Sequence, residues 1–254
     1  MAEALNGKDV DTLLARYRKA TDGKAWKWES LGSLDTDDLW LIKTTESTGK
    51  HLLLTAGFHG EEPAGCWGLL DFFESFAQNP VPGVALSILP VVNPTGIRAG
   101  ARLNAWGERT NCGFVHQEKL EEAPSREGAL LLNQIDKISF LGQDGFASLH
   151  EDVDADKFYL YTFEEDTVPS AFTKMLYCTE ACFFDPMPDD YLKELNLHDS
   201  IAFCLCDGSF EDLLFHLGTP YTACTETPGM LPLDKRVEAN RAIAEAFVGF
   251  FTEK

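Results

Sequence analysis

Residues 51–62 read HLLLTAGFHGEE. Apolar side chains fill both parities of 51–58, where a half-buried strand would alternate; such a run fits a strand covered on both faces. It stops abruptly at His59-Gly60-Glu61-Glu62. Apolar runs of strand length recur at 39–46, 85–92, 146–151, 158–163, 201–206 and 221–226. Helix-like segments lie between them at 65–77, 128–138, 168–182 and 209–217. Residues 233–252 follow Pro232 with good helix formers, and 10–20 carry helical periodicity with Asp11 as the expected N-cap. Strands interleaved with helices predict an α/β fold, a twisted, mixed but mostly parallel sheet with helices on both faces. No repeat, low-complexity tract or Ser/Gly linker interrupts the chain, so residues 1–254 are expected to form a single domain.

Charge narrows the partners. Against 41 Asp and Glu there are only 21 Lys and Arg, a formal charge of −20. A surface this acidic repels nucleic-acid phosphates and anionic membranes, so neither is an expected partner. No apolar stretch is long enough for a transmembrane helix, and MAEALNGKDV lacks the basic and apolar regions of a secretory signal. The seven cysteines, at 66, 112, 178, 182, 204, 206 and 224, are odd in number and scattered. They read as reduced thiols of a cytoplasmic protein. The pairs 178/182 and 204/206 fall in helix-like and strand-like apolar runs and are expected to be small buried core residues.

In sheets of this kind ligands bind beyond the carboxyl ends of strands, so the polar residues that end apolar runs hold the interest. Three such ends carry metal-ligand or acid–base types: His59-Gly60-Glu61-Glu62, His150-Glu151-Asp152 and Glu226-Thr227-Pro228-Gly229. An HxxE pair in a tight turn can put an imidazole and a carboxylate on one ion, and a second histidine from a neighbouring strand end completes a His2Glu set. That set leaves a fourth position for water, as catalytic zinc requires, and Glu226 is then placed to act as general base. The other histidines, 51, 116, 198 and 216, lack such partners and read as surface or core residues. Three of the eight arginines, Arg98, Arg102 and Arg109, crowd the loop-like stretch that begins Asn93-Pro94-Thr95-Gly96. In so acidic a chain they form a local positive well suited to an oxyanion or carboxylate, or a solvated loop that pairs with acidic neighbours.

The order HGEE, NPTG with RLN, LHE and TET, from about residue 50 to 230, resembles the zinc carboxypeptidase superfamily. Its compact length and NPTG…RLN stretch are most similar to the murein-peptide-amidase-like members, with the succinylglutamate desuccinylase/aspartoacylase branch close by. The resemblance implies a carboxypeptidase-like fold and one Zn2+ ion held by His59, Glu62 and His150. It implies Glu226 as general base and acid and Arg102 as the group that polarises the scissile carbonyl. Asn111 matches an asparagine that contacts the substrate carboxylate. Aligned on the family's G-x-D-x-N-R, Cys112 stands where the family has a carboxylate-clamping arginine, and Arg109 stands where it has the aspartate that orients the first zinc histidine. A neutral thiol cannot make a bidentate charge-assisted contact, and a cation cannot accept the histidine's hydrogen bond. Arg98 or Arg109 is expected to replace the missing clamp, or else the substrate lacks a carboxylate there.

The leading expectation is a zinc hydrolase that cleaves an amide bond in a small peptide-like substrate. Alternatives are an N-acyl amino acid deacylase built on the same metal site, and a non-catalytic zinc- or ligand-binding protein. A thiol hydrolase built on Cys112 is a remote further option.

Overall fold

The computed structural model describes residues 6–45, 48–114, 123–164, 168–191, 197–203 and 206–252. Its strands are β1 (Trp26–Leu34), β2 (Asp37–Thr44), β3 (Lys50–Ala56), β4 (Val84–Leu89), β5 (Gly145–Asp152), β6 (Tyr159–Thr162), β7 (Ile201–Phe203) and β8 (Thr222–Pro228). They form an eight-stranded mixed sheet in the order β1-β2-β4-β3-β5-β8-β6-β7. The centre, β4-β3-β5-β8, is parallel throughout. Every residue of β4 and all but Lys50 of β3 are buried, which is why apolar residues fill both parities of these strands.

Side-chain alternation splits the core. Leu52, Leu54, Ala147 and Leu149 face one way, against helices α1 (Val10–Thr21), α2 (Pro63–Gln78) and α8 (Leu233–Phe250). Helix α6 (Ala171–Ala181) adds Phe172 and Leu176 to the same layer. Leu53 and Phe146 face the other way, against α4 (Arg126–Leu132), α5 (Ile135–Leu141) and α7 (Phe210–His216). The expected sheet with helices on both faces is therefore present. Among the described residues no helix is long and apolar enough to cross a membrane.

Local details depart from the expected pattern. Asp9, not Asp11, caps α1, accepting the Thr12 N–H at 2.9 Å. The span 128–138 is two helices, α4 and α5, interrupted at Asn133 and Gln134. The stretch after β4 opens as a short helix, α3 (Pro94–Ala99), because Asn93 accepts the Gly96 N–H at 2.8 Å and Pro94 presets the first turn. Cys178, Cys182 and Cys206 are exposed rather than buried; His116 and Cys204 lie outside the described residues.

Two glycines seat the turn after β3. Gly57 has φ +71°, in the left-handed region that an L side chain rarely adopts. Gly60 lies so close to α3 that a Cβ there would overlap the Gly96 main chain. The turns after β3 and β4 are thus packed backbone to backbone. Gly60→Ala is expected to force them apart and to cost about 2–3 kcal/mol, measured as a lower midpoint in urea unfolding with an unchanged slope.

Candidate metal centre

Strand order brings the three polar strand ends together. β3 and β5 are adjacent, and so are β5 and β8, with His150 directly opposite Glu226 in the parallel register. His150 and Glu226 share the α7 side of the sheet with Phe146 and Cys224, since residues two apart on a strand point the same way. Phe58 stacks on the His150 ring at 5.7 Å and closes the apolar side of the site.

Glu62 joins the two histidines. Its Oε1 lies 2.7 Å from His59 Nδ1 and its Oε2 lies 2.9 Å from His150 Nδ1. Donor atoms from these three residues lie within 4.8 Å of one another, as do a second set from His150, Cys224 and Glu226. Two imidazoles and a carboxylate converge in a largely buried corner, a donor set of the kind that hydrolytic metal sites use. The charge around them also fits a dication. Burial and the negative charge of Glu62 push the Glu226 carboxyl up to about 8. Burial alone would raise Glu62, but the two imidazoles hold it down to about 2. Burial lowers His59; His150, despite its burial, is raised well above its usual range by Glu62 and Glu211. A dication held here would offset the Glu62 charge that raises Glu226.

Glu62 occupies the N-cap of α2, yet its side chain makes no capping bond. Glu151 takes over that duty, accepting the Ala64 N–H at 2.5 Å, while Arg236 of α8 pairs with the other Glu151 oxygen. The dipeptide His150-Glu151 therefore serves two faces of one strand. The imidazole points to the metal corner and the carboxylate to the α2/α8 layer.

The corner opens into a cavity of about 370 Å³. Arg102, Arg109 and Cys112 line it, as do Tyr161 of β6 and Asp207 and Ser209 before α7. Arg102 stands half exposed at the metal corner, with Nη1 3.3 Å from both Glu61 and Glu62. Cys112 faces the cavity with its Sγ 3.5 Å from the Arg109 carbonyl oxygen. Asn111 also reaches the cavity wall, but its amide is engaged at both ends: Oδ1 accepts the Phe210 N–H and Nδ2 donates to Glu211, each at 3.0 Å. Arg98 is not brought into the cavity. Its guanidinium ties α3 to Asp11 of α1 and Asp37 of β2, with contacts of 2.7 and 2.9 Å. The reading of Arg98 as a substrate group is corrected accordingly: it is a brace between elements.

Sequence reasoning missed Glu211. This carboxylate is fully buried in the first turn of α7. Its Oε1 lies 3.6 Å from His150 Nε2, an ion-pair distance, and Asn111 holds its other oxygen. The imidazole charge keeps Glu211 down to about 2, although burial alone would raise it. A carboxylate behind a metal-binding histidine fixes the ring and makes it a better ligand. Here that partner serves the second histidine, whereas the aligned position for the first is Arg109. An acidic residue in a first helical turn was the available signal, but such residues are ordinary there.

No protein-family model and no curated protein matches the chain. Solved structures do. A candidate metallopeptidase from Shewanella baltica OS155 is 34% identical over 96% of this chain and 93% of its own, with a TM-score of 0.91. Another from Shewanella denitrificans OS217 is 34% identical over 96% and 91%, with a TM-score of 0.88. A metallo-carboxypeptidase from Burkholderia cenocepacia shares the fold at 17% identity, covering 94% of this chain and 68% of its own, with a TM-score of 0.65. With near-complete relatives at this identity and the HGEE, LHE and TET strand ends gathered at one corner, the chain belongs to the zinc carboxypeptidase superfamily.

Proposed function

We propose that the protein is a zinc-dependent hydrolase that cleaves an amide bond in a small peptide-like substrate. The observation that carries this reading is the convergence of His59 Nδ1, His150 Nδ1 and the Glu62 carboxylate beside Glu226 at the floor of an open cavity. Metallopeptidase and metallo-carboxypeptidase relatives support it. Zinc bound by His59, Glu62 and His150 would supply Lewis acidity and make its water easier to deprotonate.

With the push from Glu62 offset by a bound dication, Glu226 would be ionised, ready to take the proton from the attacking water and return it to the leaving amine. Its register opposite His150 places it beside the metal corner without making it part of the His59–Glu62–His150 set. Arg102 lies on the same side as the Glu62 carboxylate and can donate to the oxyanion that develops on the substrate carbonyl. Glu211 holds the His150 ring from behind.

A second reading, an N-acyl amino acid deacylase, draws on Arg109. With Cys112 in the cavity wall where the family has its clamp, Arg102 and Arg109 are the arginines that line the cavity among the described residues. Both suit a small anionic acyl group.

Three outcomes test the proposal. Glu226→Gln is expected to keep one zinc per chain by elemental analysis while turnover falls by about 10²–10⁴-fold; activity retained in that variant would sink the mechanism. A panel of N-acyl amino acids, C-terminal peptides and muropeptide-like amides separates the two substrate readings, and hydrolysis of none, with zinc stoichiometric, points to a binding protein. Glu211→Gln is expected to weaken zinc binding by about 10- to 100-fold in competition with a chromogenic chelator; unchanged affinity would remove Glu211 from the metal centre.

A further inference from the structure

A second cluster of reactive groups lies just before and within α7, apart from the metal donors. Cys206 is exposed, with its backbone at φ +71°. Asp212, fully buried, holds that conformation: its Oδ1 accepts the Cys206 N–H and its Oδ2 accepts the Gly208 N–H, both at 2.9 Å. One helical turn on, His216 turns its Nδ1 back to Asp212, 2.9 Å from the main-chain oxygen and 2.9 Å from Oδ1. Two acceptors at Nδ1 place the ring proton there and leave Nε2 with its lone pair. That Nε2 faces the Cys206 sulfur at 3.9 Å.

We propose that Cys206 is an activated thiol, with His216 as its base and Asp212 as the group that orients the base, and that it is a site of reversible thiolation by small disulfides. A thiol, a base within reach and a third residue that orients the base are the parts an activated nucleophile needs. A metal ion fits the cluster less well. Cys206, Asp212 and His216 offer three donor atoms within 4.8 Å of one another, but the Asp212 oxygens are already shared with two main-chain N–H groups and His216 Nδ1.

In the exchange, Cys206 Sγ attacks one sulfur of the disulfide and its proton passes to His216 Nε2. The old S–S bond breaks, and the departing half carries away the electron pair as a thiolate. Cys206 is oxidised to a mixed disulfide, the leaving sulfur is reduced, and no further reactant is needed. The site also has a location with consequences. Asp207 and Ser209, which follow Cys206, form part of the metal-cavity wall, so an adduct on Cys206 stands beside that cavity.

The chain carries its own controls. Cys178 and Cys182 are exposed on α6, and among the described residues neither belongs to a cluster of His, Cys, Asp and Glu donors. The full chain is treated with limiting 2,2′-dithiodipyridine, thiopyridone release is followed by absorbance, and the labelled cysteines are mapped by peptide mass spectrometry. Cys206 is expected to react at least about tenfold faster than Cys178 or Cys182. His216→Gln should bring its rate down to theirs without altering theirs. Equal rates in the wild-type chain, first labelling at any other cysteine, or an unchanged Cys206 rate in a folded His216→Gln variant overturns the proposal. Should the variant fail to fold by circular dichroism, the wild-type ratio decides alone.

Discussion

The Glu62 carboxylate is the interaction on which the rest of the metal corner depends. It sits at a helix N-terminus, where it would ordinarily cap. Instead both oxygens are taken by imidazoles from two different elements. Everything around it compensates. The first turn of α2 gets its acceptor from Glu151, Glu151 gets its counter-charge from Arg236, and Arg236 stands on the last helix. Breaking a buried charged pair of this kind typically costs about 3–5 kcal/mol, because the remaining partner is left without compensation. The centre and the α2/α8 layer are in this sense one polar network, built through the buried middle of the sheet.

The sheet converts sequence order into proximity. Parallel pairing of β3, β5 and β8 delivers three carboxyl ends to one edge, although the residues they carry are up to 167 positions apart. The register adds what adjacency alone does not. With His150 opposite Glu226, and Glu226 opposite Tyr159 on its other side, the Glu226 carboxylate is fixed laterally by two strands. Rigid elements hold such constellations more closely than loops do. Looser groups, Arg102 and Arg109, come from the irregular stretch after α3 and supply charge at the cavity wall.

How much of this was legible in the sequence follows from what each signal measures. Central strands announce themselves because burial on two faces puts apolar residues on both parities, and charged residues at their ends then stand out. The edge strand β1 was not legible. WKWESLGSL mixes charged and apolar residues at its half-exposed positions and contains a glycine. In α6, Cys178 and Cys182 are four apart and share a face, but periodicity cannot say which face turns outward, and theirs does. The candidate metal ligands were legible because two of the three share one short turn. Glu211 was not, since Phe210-Glu211-Asp212 reads like any acidic helix start; only tertiary packing carries it beneath His150. Arg98 was singled out for the rarity of arginine, and rarity says nothing of direction. His216 was set aside for want of a partner, and its partners stand four and ten residues back, one across a helical turn and one before the helix begins.

The adjacency of His150 and Glu151 has a consequence for the folding of the sheet. Sheets choose their pairing chiefly by which apolar residues face the core, and a shift of one residue turns every side chain over. In β5 that apolar signal is weak, because both faces are buried and either phase would hide oily side chains. The dipeptide breaks the tie. Slipped one way, β5 would put Glu151 in the place of His150, a carboxylate facing Glu62; slipped the other way, it would put His150 in the place of Glu151, at a helix end that needs an acceptor. The candidate metal site and the alignment of β5 thereby depend on the same two residues.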